Sequence, residues 1–169
     1  DIYFVATTAE EMGLLGAQAF AENPPLPLNQ VIAAFNIDSV AIAPAGTPFA
    51  IVGKGMTRLD PLITAFAKAD KRKLVTDELA SAAANAYVRR QDGWALLQHD
   101  VPAVMVTTAY GDMARMERFF ETDYHRPTDT AKPELELGGA ADDVAFLVTL
   151  GRAFADLKKV PSPLFPGVR

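Results

Sequence analysis

The sequence predicts an α/β domain, a sheet carrying helices on its faces. Two observations predict it. Short continuous apolar runs recur at residues 2–6 (IYFVA), 31–37 (VIAAFNI) and 103–107 (AVMVT). Runs of that length, rich in β-branched and aromatic side chains, suit strands buried on both faces of a parallel sheet. Stretches with helical spacing alternate with them, which is how a sheet acquires helices on its faces.

The elements follow in order. After the first strand, Met12, Leu15, Ala19 and Phe20 recur at helical spacing, and Pro24-Pro25 stops that helix. Residues 58–70 (RLDPLITAFAKAD) predict a second helix, and Trp94, Leu96 and Leu97 a short third. Leu137, Ala141, Val144, Leu147, Val148 and Phe154 form the apolar stripe of a long final helix. Pro161, Pro163 and Pro166 then mark an irregular segment. The reading is one domain over residues 1–159 and a Pro-rich tail over 160–169, with no internal repeat.

Bulk properties bound the function. A chain of 169 residues, half of them hydrophobic, can bury one substantial core. The net charge of -5 and the lack of a basic stripe argue against nucleic acid as a partner. No apolar run approaches the roughly 20 residues that span a bilayer, so no membrane partner is expected. Cysteine is absent, which removes disulfides and thiolate metal sites. The chain opens on Asp1 directly against a strand and reads as a piece of a longer protein.

Ligands of open α/β sheets bind outside the carboxyl ends of the strands. Glu10 and Glu11 follow the first apolar run, and Asp38 follows the second. Adjacent carboxylates repel and raise one another's pKa. Their plain reading is an acidic first helical turn facing the positive end of the helix dipole. Gly13 and Gly16 add to the pattern, because they are poor helix formers placed where a close backbone approach would need them. His125 lies in the loop sequence YHRPTDT. Alone, each of these residues has an ordinary structural reading.

Together, FVATTAEEMGLLGAQAF, NIDSV and YHRPTDT, in that order, resemble the di-zinc aminopeptidase family of bacterial leucyl aminopeptidase and aminopeptidase S. Glutamate carboxypeptidase and the transferrin receptor share that family's fold. The resemblance runs from Ile2 to about Leu157. It implies a three-layer α/β/α sheet of the zinc-exopeptidase (phosphorylase/hydrolase-like) type, incomplete at its N-terminus. It also implies a peptide substrate, two zinc ions in the complete site, and a periplasmic or secreted protein. Glu10 takes the role of general base toward zinc-bound water, Glu11 and His125 ligate one zinc, and Asp38 ligates the other. The physical chemistry agrees: zinc accepts carboxylate oxygen and imidazole nitrogen at about 2.0–2.2 Å, and paired metals about 3.5–4 Å apart act on one water and one carbonyl. Asp129 is our own expectation for the group that orients the imidazole.

The sequence departs from the family in two places. The family's His-x-Asp motif and bridging Asp, which lie upstream of the Glu-Glu pair, have no counterpart here. His99 reads as a surface residue and does not replace them. Each zinc site then lacks part of its donor set, and the chain by itself is expected to be inactive. Where many relatives carry Ser-Asp-His, this sequence has Gln91, Asp92 and Gly93. That segment helps to form the substrate pocket in the family, so Tyr87, Asp92 and Trp94 are candidate pocket residues. Two further readings stay open: a single-zinc enzyme similar to glutaminyl cyclase, and a non-catalytic binding domain of the same fold. Exposed sheet edges would also favour self-association.

Overall fold

The computed structural model describes residues 1–156 and 158–160. The Pro-rich tail expected over 160–169 therefore lies, beyond Val160, outside the described residues. Among the described residues three strands and six α-helices follow in order: α1 (Leu15–Glu22), β1 (Ala34–Asn36), β2 (Ala50–Val52), α2 (Asp60–Ala69), α3 (Glu78–Asn85), α4 (Gly93–Leu97), β3 (Ala103–Thr107), α5 (Met113–Thr122) and α6 (Gly138–Phe154). The sheet order is β1-β3-β2. β1 runs parallel to β3, with Phe35 opposite Val104. β2 runs antiparallel to it, with Ile51 opposite Val106. The expected α/β class stands, and the antiparallel edge strand corrects the all-parallel reading.

The period of two along β3 builds two cores. Val104 and Val106 join Ile51, Ile63, Phe146 and Leu150 on one face, beneath α2 and α6. Met105 joins Val52, Ala84, Val88 and Met116 on the other, beneath α3 and α5. Helices thus cover both faces of the sheet, and all five β3 residues are buried. A smaller cluster of Leu14, Ala17 and Ala95, with Trp94 against it, joins α1 to α4.

Residues 2–6 form no strand, contrary to the sequence expectation. Ile2, Tyr3, Phe4 and Val5 are all more than half exposed, Phe4 by 97%. The reason is pairing: β-propensity expresses a fit to neighbouring strands and to a packed face, and among the described strands β1 hydrogen-bonds to β3 alone. The second apolar run contracts to Ala34–Asn36 for the same reason. The predicted helices at 58–70 and from Leu137 appear as α2 and α6. Helix α1 ends at Glu22, just before Pro24-Pro25.

Candidate active site

The site sits beyond the carboxyl end of β1, where three separate segments meet. The first is the turn carrying the Glu pair. Ala9 adopts left-handed backbone geometry (φ 56°), and Glu10–Met12 form one 3-10 turn. Backbone hydrogen bonds from Leu14 to Glu10 (2.8 Å) and from Gly16 to Thr8 (2.9 Å) lock that turn onto the start of α1. Gly16 is required there. A Cβ at this position would stand 2.4 Å from the Thr8 carbonyl oxygen. The sequence reading of Gly16 as a point of close backbone approach therefore acquires a named neighbour.

The second segment is the loop after α5. Lys132 Nζ binds Asp123 Oδ1 at 3.0 Å, and the Tyr124 amide donates to the Phe119 carbonyl at 3.0 Å. The next residue, His125, has φ 57°. That turn lays the imidazole against the Tyr124 ring, with centroids 3.8 Å apart and planes 20° apart. It also carries His125 Nε2 to 2.5 Å from Glu11 Oε1, across 114 positions of sequence. The third segment is the residue pair after β1, where Ser39 Oγ donates to Asp38 Oδ1 at 3.1 Å.

The carboxylates share one electrostatic field. Partial burial raises the Glu10 pKa first, and the charges of Glu11, Asp38 and Asp92 raise it further, while His125 opposes them. A carboxyl group held above its ordinary pKa is a better proton acceptor once ionised. Asp92 is fixed from the side by a hydrogen bond from the Thr7 hydroxyl to Oδ2, and its buried Oδ1 has no partner among the described residues.

Beside Asp38 a cavity of about 260 Å³ opens. Its walls are Tyr87, Met105, Tyr110, Phe120 and Tyr124, and Asp38, Arg90 and Gln91 supply its polar lining. Tyr87 stacks on Phe120 at 5.4 Å, and Phe120 meets Tyr124 edge-on at 5.0 Å. Burial raises the Tyr110 phenol well above its ordinary range.

Of the sequence candidates, Glu10, Glu11, Asp38 and His125 converge here, and Tyr87 lines the cavity. Trp94 does not line it. That ring, on α4, packs against the Leu14–Ala17–Ala95 cluster and against the cluster of Val52, Val88 and Met105, under the Arg89 guanidinium at 5.0 Å. Asp129 is exposed and forms no side-chain hydrogen bond to His125 among the described residues. The neighbour that the structure sets against the imidazole is Tyr124. Sequence reasoning gave no role to Tyr110, Tyr124 or Arg90. Tyr110 follows β3 at its carboxyl end, so the rule that places ligands there would have found it.

As a metal centre the donor set is partial. Glu11 and His125 form a pair, and among the described residues no group of three or more His, Cys, Asp or Glu gathers around one point. A catalytic zinc normally takes three protein ligands. The chemistry of the donors suits zinc, and their number falls short of a complete site.

A sheet flanked by helices, with paired glutamates and a histidine at its carboxyl rim, defines a metallopeptidase-like α/β domain. The sequence model of peptidase family M28 matches residues 1–150, and the chain belongs to that family. The family is one of metal-dependent, generally zinc-dependent, peptidases. No curated protein and no solved structure matches the chain.

Proposed function

We propose that the chain carries the proton-transfer carboxylate and part of the zinc-binding set of an exopeptidase of the aminopeptidase type. The observation that carries this reading is the meeting of Glu11 and His125 at 2.5 Å, with Glu10 beside them in the field of Asp38. Glu11 and His125 would hold one zinc, and Asp38 would contribute to a second. When bound, zinc acts as a Lewis acid toward water and the scissile carbonyl. Glu10 is adjacent to the donors and outside the Glu11–His125 pair, so it is free to take a proton from water and return it to the leaving amine. Because the donors here number fewer than a catalytic site uses, turnover requires further ligands from outside these 169 residues, and the chain alone is inactive.

Zinc titration of the chain and three variants tests the assignment. Weak zinc binding is expected in the parent. It should be lost in Glu11→Ala and His125→Ala and kept in Glu10→Gln. Zinc binding that survives both ligand substitutions unchanged would remove the metal assignment. With a complete donor set, Glu10→Gln should lower kcat by about 10²–10⁴-fold at unchanged zinc content, the usual weight of a general base.

A further inference from the structure

The cavity beside Asp38 has a polarity that general exopeptidase chemistry does not require. Arg90 is the one basic residue in its lining, and it is paired with no carboxylate among the described residues. Its guanidinium lies 5.4 Å from the centre of the Tyr87 ring. A guanidinium held over an aromatic face keeps its planar fork of donors pre-oriented and its charge available. The remaining walls are suited to a short aliphatic stem. Met105 and Phe120 are apolar, and no phenol hydroxyl of Tyr87, Tyr110 or Tyr124 is engaged in a hydrogen bond among the described residues. Drug-sized ligands occupy about 300–1,000 Å³. A cavity of about 260 Å³ suits one side chain and not an extended peptide.

We propose that this cavity receives the side chain of the substrate's amino-terminal residue and that Arg90 selects an acidic one, aspartate or glutamate. The inference rests on the exopeptidase reading for what the cavity serves. Its chemical content is carboxylate recognition: methylenes against the aromatic walls, and two carboxylate oxygens against the guanidinium fork. Asp38 stands in the same lining and repels a carboxylate, so the selection requires the Arg90 guanidinium to outweigh it.

Binding of small peptides tests it without turnover. Glu-Gly amide, Leu-Gly amide and Leu-Gly with a free carboxyl terminus are titrated into the chain, following the tyrosine ring signals by NMR. Glu-Gly amide should bind about tenfold or more tighter than Leu-Gly amide, as a charge-assisted hydrogen bond warrants. Arg90→Gln should erase that preference. Arg89→Gln should preserve it, because Arg89 lies over Trp94 and not in the cavity. Arg90 is exposed, so its variants should fold, and circular dichroism checks that. Equal affinities, no saturable binding of Glu-Gly amide, or a preference that survives Arg90→Gln would overturn the inference. So would Arg90-dependent binding of Leu-Gly in place of Glu-Gly amide, which would assign the guanidinium to a terminal carboxylate. Hydrolysis of the same peptides with zinc is scored separately. None is expected from the chain alone; the peptidase reading stands or falls with the zinc titration of the Glu11 and His125 variants, and the affinity ratio judges Arg90 independently.

Discussion

At the scale of single residues, the site depends on side chains held in place by unusual backbone. His125 reaches Glu11 because a left-handed backbone turn folds its ring back onto Tyr124. Aromatic contacts of this kind contribute about 0.5–1.5 kcal/mol beyond the area they bury. Tyr124→Ala should therefore weaken zinc binding by about two- to tenfold, while Tyr124→Phe, which keeps the stack, should leave it unchanged. Equal zinc affinity in Tyr124→Ala and the parent would show that the stack does not orient the imidazole. Gly16 constrains the site differently, by a close backbone approach to Thr8. Gly16→Ala drives a methyl group into the Thr8 backbone, and overpacking of this kind costs about 1–3 kcal/mol. Chemical denaturation should register the loss. Since Thr8 leads into the Glu pair, zinc affinity should fall as well.

At the scale of elements, α6 is fastened to the sheet by one buried carboxylate. Asp143 is 3% exposed. It accepts hydrogen bonds from the Thr108 amide at 2.7 Å and hydroxyl at 2.9 Å, and pairs with Arg72 at 3.3 Å. Asp142, the next residue, also pairs with Arg72, at 3.1 Å, but is about a third exposed. Losing Asp143 leaves Arg72 paired with Asp142 but strands the buried Thr108 amide and hydroxyl, at about 1–3 kcal/mol for each unsatisfied group, whereas an exposed pair is worth about 0–1 kcal/mol. Asp143→Ala should thus lower the unfolding free energy several times more than Asp142→Ala. The pH dependence separates them further. A hydrogen bond from the Gly46 amide, aided by Arg72, holds the Asp142 pKa below its ordinary value. Its stabilisation is present above the ordinary value of 3.8 and is lost as pH falls through the depressed one. Burial raises Asp143 instead, so its carboxylate form is disfavoured on folding as pH rises through the raised value. Asp142→Asn should therefore flatten the acid limb of the stability curve. An acid limb identical to the parent's would remove Asp142 from that account.

At the scale of the whole molecule, the open feature is the side of the sheet carrying β1. β1 has one strand partner among the described strands, and Ile2, Phe4, Ile37 and Val40 are exposed. Unpaired edges and exposed apolar side chains recruit other chains. The chain should self-associate in light scattering, and Phe4→Ser should shift it toward monomer. A monodisperse monomer at high concentration would remove this expectation. The donor count of the site and the unpaired edge belong to the same scale, since both concern what these residues meet beyond themselves.

Much of this organisation was legible in the residues. The apolar run AVMVT is the central strand, since a run without polar alternation can only be buried on both faces. Helices α2 and α6 followed from spacing, and Glu10, Glu11, Asp38 and His125 from motif order. Strand β2 escaped because AIV is too short to carry a period. Helix α5 escaped because MARMERFFET mixes charge and aromatics, with its partners distant in sequence. By itself the sequence determined the α/β class and which residue types could do chemistry, because periodicity and local chemistry are written along the chain. Tertiary structure alone decided that residues 2–6 are not a strand, that Glu11 meets His125, that Trp94 packs into the core without lining the cavity, and that Arg90 lines it. Each of these depends on a partner far away in sequence, and a contact is a property of two positions that no single stretch encodes.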